Sequence, residues 1–532
     1  MSIFFKKTLI GNKTSDIQNN NISPINTIEK CIPFAYTYPD KTSLNLSEKE
    51  FNGNWLFDGS TQMGKTTANL SQIFYLLENN MPFALFEPHG KLIDDTIELL
   101  YYRYHKLIQN NRIEEANDFL SRIILIDPTN PNDTVYFNPL QIEDRIAVSQ
   151  KVNTLISNIR SIYGDSSWGP RVQIMLNLIF TELALNRLPL PYAYQFVSNG
   201  SFRQRIINNS TNPLTRSALL DYESLNPSKL IEFFDSSKSR LLAILEDERV
   251  SNMFNCYESS FNFSDVFAQR QYLIVKITRE SFDEHTASFY SNILLNFFIS
   301  SMFQRFNNPC DNLEPYYCFI DEFPFYTRSH NESLQFLLNE NSKFKCFFRL
   351  CAQQLSSLNR STADSVINNC KTKLLYNANF NDSKTFSNEI FDPTKARIKS
   401  INPKTGEIFY KSIFEIEKIN EYKISRLNPY LFYFYSQENK AVLSTIKRVV
   451  GDLIPTTNYN APLFQILGFD SQDSFNEAIR SLNFGSCFLR PRIRFNRLPE
   501  INFDNNDNPS DSEANRANPT FNSIFGRHTY EF

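Results

Sequence analysis

The chain has 532 residues, room for roughly two to four structural units. Its formal net charge of −3 excludes a uniformly basic surface but leaves a local basic channel open. The eight cysteines are scattered with no C-x-x-C pair, which fits reduced cytosolic thiols better than a disulfide framework or a zinc site. No window approaches twenty uninterrupted apolar residues, and no long apolar stretch follows Lys6-Lys7. The expectation is a soluble, cytoplasmic chain without an intrinsic membrane span.

Residues 1–45 are rich in Asn, Ser and Thr, and read as a lead-in with one or two strands. Residues 46–145 hold the first part of a nucleotide-binding fold. An apolar strand, Trp55-Leu56-Phe57, runs into Gly59-Ser60-Thr61-Gln62-Met63-Gly64-Lys65-Thr66, a complete G-x-x-x-x-G-K-T loop. Thr67 to Leu77 follows, with Leu70, Ile73, Leu76 and Leu77 at helical spacing. Residues Gly59 to Thr67 are therefore the expected nucleotide-binding set. The glycines turn backbone N–H groups onto phosphate oxygens, and the positive end of the helix faces the same place. Lys65 suits the β- and γ-phosphates of ATP, and the Thr66 hydroxyl suits Mg²⁺. With only 13 glycines in the chain, a chance match at this spacing is remote.

Residues 146–265 change character: helical patterns recur at Ala147–Ile162, Val172–Leu185 and Lys229–Leu245, which reads as an all-helical insertion. Residues 266–450 resume the sheet. Tyr316-Tyr317-Cys318-Phe319-Ile320 ends in Asp321-Glu322, at the end of a parallel strand where ligands bind. Asp321 is expected in the Mg²⁺ shell, and Glu322 as the group that orients and deprotonates the attacking water. A short helix over Glu332–Leu338 leads to a further apolar strand ending in Gln353, placed to sense the γ-phosphate. A plain polar strand end is the alternative there. Strands at Thr372–Tyr376, Tyr430–Tyr435 and Ala441–Ile446 follow, the last two as a hairpin. Residues 451–500 read as a C-terminal extension. Residues 501–532, with Asp and Glu among Asn, Pro and Ser, read as a disordered tail.

Further segments give these motifs a family context. Phe83 to Leu92 contains Glu87-Pro88-His89-Gly90-Lys91. Ile126-Asp127-Pro128 is followed by Phe137-Asn138-Pro139-Leu140, then by Ser167-Trp168-Gly169-Pro170-Arg171 and Ser239-Arg240-Leu241. Gln353, Leu355, Ser356 and Leu358 complete the series. In this order the chain resembles the HerA/FtsK-type motor ATPases, and among them the TraG/TraD-like conjugative coupling proteins, over residues from about 50 to about 450. It departs from their Asp-Pro-His-Gly-Asp segment at Glu87 and Lys91, and lacks their N-terminal membrane helices.

The resemblance implies an α/β chain with a RecA-like P-loop NTPase sheet, a helical insertion domain and a disordered C-terminal tail. It implies a homo-hexamer or other ring that moves DNA, gripped through its phosphates, in conjugative transfer, with a relaxase or secretion-channel protein as a possible partner. Such a ring needs an arginine from the neighbouring subunit. Arg171 and Arg240 rank first, ahead of Arg349 and Arg360, and surface arginines or internal pairs are the alternative for each. The run Arg490, Arg492, Arg494, Arg497 could track a backbone or be a solvated strand face. A viral packaging or helicase-like translocase, or a nucleotide-gated recruitment module, stay open as other functions.

Overall fold

A computed structural model describes residues 32–446 apart from 39, 130–134, 143–146, 164–167, 306–312, 328–337, 339, 341–342, 391–397, 402–407, 411–422, 425, 428–430 and 437–441. The expected C-terminal extension, the disordered tail and the Arg490–Arg497 run lie outside the described residues. So do Ser167 and most of the helix expected over Glu332–Leu338.

In chain order the first part is β1 (Ile32–Thr37), β2 (Ser43–Leu46), α1 (Glu48–Phe51), β3 (Trp55–Asp58), α2 (Lys65–Glu78), β4 (Phe83–Phe86), α3 (Lys91–Gln109), α4 (Ile113–Ser121) and β5 (Ile123–Ile126). Eight helices follow before the next strand: α5 (Val148–Tyr163), α6 (Pro170–Leu185), α7 (Tyr192–Ser198), α8 (Gly200–Asn208), α9 (Pro213–Glu223), α10 (Pro227–Leu245), α11 (Glu248–Phe254) and α12 (Phe263–Ala268). The chain then returns to the sheet with β6 (Tyr272–Val275), α13 (Glu284–Gln304), β7 (Tyr316–Ile320), α14 (Phe323–Tyr326) and β8 (Cys346–Ala352). It ends with α15 (Arg360–Asn369), β9 (Thr372–Leu375), α16 (Phe380–Ile390), the pair β10 (Ile398–Ile401) and β11 (Ile408–Tyr410), and the hairpin β12 (Leu431–Tyr435) and β13 (Val442–Ile446). Among the described residues the helices of 148–268 are uninterrupted by any strand.

Local chemistry explains several of these starts. Helices α6, α9 and α10 each begin with proline at the first turn, where its missing N–H costs nothing. Asn212 and Asn226 cap α9 and α10 with their side-chain oxygens. Ser47 and Glu50 form a reciprocal capping box on α1, and Glu50 is buried beside Ser436 at the end of β12.

An 11-stranded sheet runs β2-β1-β13-β12-β9-β3-β8-β7-β4-β6-β5. The strands from β9 to β5 are parallel, while β12, β13, β1 and β2 add an antiparallel wing. The parallel strands are buried on both faces, which is why they read as unbroken apolar runs. Alternation divides their side chains between two cores. Trp55, Phe57, Leu85 and Phe319 pack with Ile73 and Leu76 of α2 and Leu99 of α3. Leu56, Phe86 and Ile320 pack on the other face with Leu155 of α5, Phe180 of α6, Phe234 of α10 and Phe298 of α13. Each such buried side chain contributes about 1.5–3 kcal/mol. The helices between β5 and β6 thus share a core with the sheet itself.

Register sets the functional edge. Asp58 pairs with Ala352 of β8 and Leu375 of β9, Ile320 of β7 with Leu350 of β8, and Phe86 of β4 with Ile320. The residues just beyond these pairs, Gly59, Gln353, Asp321 and Glu87, therefore emerge along one edge, at the carboxyl ends of neighbouring strands. Strand β8 lies between the phosphate-loop strand and the acidic strand.

Candidate active site

The loop 59–66 has the geometry its sequence requires. Gly59 has φ 147°, and a Cβ there would lie 2.7 Å from Tyr376 Cβ, so only glycine fits. Gly64 has φ 103° and precedes α2 as its N-cap, leaving the first N–H groups of the helix without a side-chain cap. These are donors for an anion. Gly59 N–H donates to Ala352 O at 3.2 Å and Ser60 N–H to Asn377 O at 2.9 Å, tying the loop to β8 and to the end of β9. Lys65 is buried; its Nζ donates to the carbonyl oxygens of Gly59 and, at 2.8 Å, Ser60.

Glu322 is the N-cap residue just before α14, in a left-handed backbone conformation, φ 53° and ψ 48°. Its Oε2 accepts from Gln353 Nε2 at 2.9 Å and stands 3.4 Å from His89 Nε2. Burial alone would raise this carboxyl. The hydrogen bonds from His89 and Gln353, with the charges of His89 and Arg279, outweigh it and hold Glu322 below the ordinary value. The bond to Glu322 correspondingly raises His89.

Asp321 is raised by burial, even though the Cys351 thiol donates to it and Lys65 attracts it. Asn69 of α2 in turn donates to Cys351 Sγ at 3.0 Å. Next to them, Glu87 accepts from His89 N–H at 3.0 Å and from Ile93 N–H at 3.4 Å at the start of α3. Burial, then the charge of Asp321, pushes Glu87 up to about 7. The Thr66 hydroxyl, at the start of α2 beside the phosphate loop, and the Asp321 carboxyl, at the end of β7, are hard oxygen donors of the kind Mg²⁺ takes, so the residues present fit Mg²⁺ as well as phosphate.

The structure brings Lys65, Asp321, Glu322 and Gln353 to the same edge. Arg171 lies over the Phe233 ring at 5.4 Å, and Arg240 over Tyr163 at 5.3 Å and Trp168 at 5.9 Å, both among the helices of 148–268. Arg360 is exposed and 3.9 Å from Asp364. Arg349 corrects the expectation placed on it. It is fully buried, donating to Gln72 and to the carbonyl oxygens of Gly53 and Phe51, and cannot reach a neighbouring subunit.

Three residues at the site had no role in the sequence reading. His89, quoted in the Glu87-Pro88-His89-Gly90 segment without a role, acquires one only through its contact with Glu322, 233 positions away. Arg279 follows β6, its N–H donates to Pro88 O at 2.9 Å, and its guanidinium lies 4.5 Å from the Phe325 ring centre. The rule that ligands gather at carboxyl ends of parallel strands would have flagged it. Asp58 immediately precedes Gly59, is wholly buried, and neither carboxyl oxygen has a partner among the described residues.

No helix among the described residues is long and apolar enough to cross a membrane. No family model and no curated protein matches the chain. Solved structures do. The bacterial conjugative coupling protein TrwBdeltaN70, in an unbound form, superposes with a TM-score of 0.52 at 12% identity, over 76% of this chain and 87% of its own. Plasmid coupling protein TrwB in complex with ADP and Mg²⁺ gives 0.52 at 13% identity over 76% and 86%. The same protein with the non-hydrolysable GTP analogue GDPNP gives 0.51 at 12% identity over 76% and 87%. Identity this low speaks to architecture alone. With its strand order, its phosphate loop and its helical excursion after β5, this chain has the fold of the TrwB coupling protein, a RecA-like P-loop sheet.

Proposed function

We propose that the chain is a cytoplasmic, ring-forming ATPase that moves DNA in conjugative transfer, as a coupling-protein-like motor. The observation that carries this is the Glu322 carboxylate, held 2.9 Å from Gln353 Nε2 on the edge that also bears the phosphate loop. A bare phosphate loop binds nucleotide; a fixed carboxylate beside it adds the means to hydrolyse.

The roles follow from the chemistry. Backbone N–H groups of residues 59–67 and Lys65 Nζ bind the phosphates of ATP, with phosphate oxygens replacing the Gly59 and Ser60 carbonyls as acceptors for Lys65. Thr66 and Asp321 would hold Mg²⁺, which would supply Lewis-acid stabilisation of charge on the phosphate oxygens. Glu322, gripped by Gln353 and His89, orients and deprotonates the attacking water. Gln353 couples the γ-phosphate position to Glu322 and to the strand between the two motifs. Arg171 or Arg240, from an adjacent subunit of a hexamer or other ring, supplies charge to the transferring phosphate. DNA is gripped through its phosphates, and a relaxase or secretion-channel protein presents it.

The test is steady-state ATP hydrolysis with and without long DNA, on wild type and Glu322→Gln. Many-fold stimulation by DNA, abolished by the substitution while ATP still binds, is the expected result. A low rate indifferent to DNA would sink the motor reading and turn the search to a protein partner that triggers a switch.

A further inference from the structure

Glu322 is a poorly constrained residue in one respect. It sits half-buried at a strand–helix corner with a left-handed backbone, so packing alone does not fix its carboxylate. The constraint comes from hydrogen bonds. Gln353 Nε2 and His89 Nε2 both address Oε2, at 2.9 and 3.4 Å, and no donor among the described residues addresses Oε1. The two donors arrive from opposite sides of β7, Gln353 from the end of β8 and His89 from the turn after β4.

We propose that His89 is a positioning residue for hydrolysis, which grips Glu322 Oε2 jointly with Gln353 and so aims Oε1 at the attacking water. The inference rests on the ATPase reading above and deepens it.

The turn that presents His89 is itself fixed from both sides. Glu87 Oε1 accepts the His89 N–H at 3.0 Å, and Pro88 O accepts the Arg279 N–H at 2.9 Å. Gly90 follows with φ 87°, and a Cβ there would lie 3.2 Å from the Thr278 methyl carbon. A donor held this way arrives pre-organised, and a carboxylate bound through one oxygen from two directions loses the rotation that would swing Oε1 away. His89 is still open enough, with 45% of its side chain exposed, for a small molecule to take its place.

The experiment measures kcat and KM for ATP in wild type, His89→Ala, His89→Gln, Gln353→Ala, the His89/Gln353 double variant and Glu322→Gln, with thermal midpoints for each. His89→Ala should lower kcat by about 10- to 100-fold, the usual cost of losing an orienting partner, with KM nearly unchanged. Added imidazole should restore part of the rate, and His89→Gln, which keeps a donor, should keep most of it. The double variant should lose less than the product of the single losses, because both donors act through one oxygen. If Glu322→Gln is inactive while His89→Ala keeps wild-type kcat, or loses only ATP affinity, the positioning role is overturned and the ATPase reading stands. If wild type does not hydrolyse ATP, or Glu322→Gln hydrolyses it normally, both fail. Should His89→Ala fold poorly, His89→Leu against His89→Gln at matched size decides: equal rates overturn the role.

Discussion

The Arg349 guanidinium donates to Gln72 Oε1 at 2.6 Å in the interior, linking the strand that carries Gln353 to the helix that begins at Lys65. The same group donates to the carbonyl oxygens of Gly53 and Phe51 at 2.6 Å each and lies over the rings of Trp55, Phe51 and Tyr317. No carboxylate pairs with it among the described ion pairs. Burial correspondingly pushes its basicity down to about 9.

Arg349→Ala should therefore destabilise by about 3–5 kcal/mol, since it strands three acceptors and opens a cavity. Arg349→Met, which fills the space under the rings, should lose less. Urea unfolding of the two variants checks this. Equal losses would mean that the hydrogen bonds dominate and the packing contributes little.

Asp58 predicts a pH dependence. Burial first, and the charge of Asp382 second, raise its carboxyl well above the usual range, with Lys65 opposing. Between the unfolded value near ~3.9 and the raised folded value, the native state holds the proton more tightly than the unfolded chain. Stability attributable to this group therefore falls as pH rises through that window. Asp58→Asn cannot ionise, so its thermal midpoint relative to wild type should climb as pH rises from the unfolded carboxyl value into the neutral range. A difference constant with pH would show that Asp58 is ionised in the native state as it is in the unfolded chain, and that burial does not hold its proton.

Gly59→Ala should abolish ATP binding and also lower stability by about 1–3 kcal/mol. The added Cβ would meet Tyr376 Cβ at 2.7 Å from a backbone at φ 147°, so either the loop or β9 must shift. Fluorescent-nucleotide titration and thermal unfolding check the two effects. Normal affinity would show that the loop tolerates the shift.

Much of this was legible in the sequence because the information was local. The strand, glycine loop and helix of 55–78 declare themselves through periodicity and spacing, as do the apolar strands ending at Asp321 and Gln353. Residues whose role depends on distant parts of the chain were not legible. Glu322 and His89 are 233 positions apart, and Arg349 lies 277 from Gln72. No local pattern marks Arg349 as interior, since an arginine in a strand reads as surface until its ring cage and carbonyl acceptors are assembled. The antiparallel wing was half visible: the hairpin signal around residues 431–446 was clear, but its pairing with β1 joins segments about 400 residues apart.

The excursion between β5 and β6 is built into the same apolar mass as the sheet, with Leu56 and Phe180 in one continuous cluster. Close-packed interiors have low compressibility. A displacement of a fraction of an ångström at the strand tips therefore has no soft joint in which to dissipate. It would pass directly into α5, α6 and α13, whose side chains fill the same packed cluster.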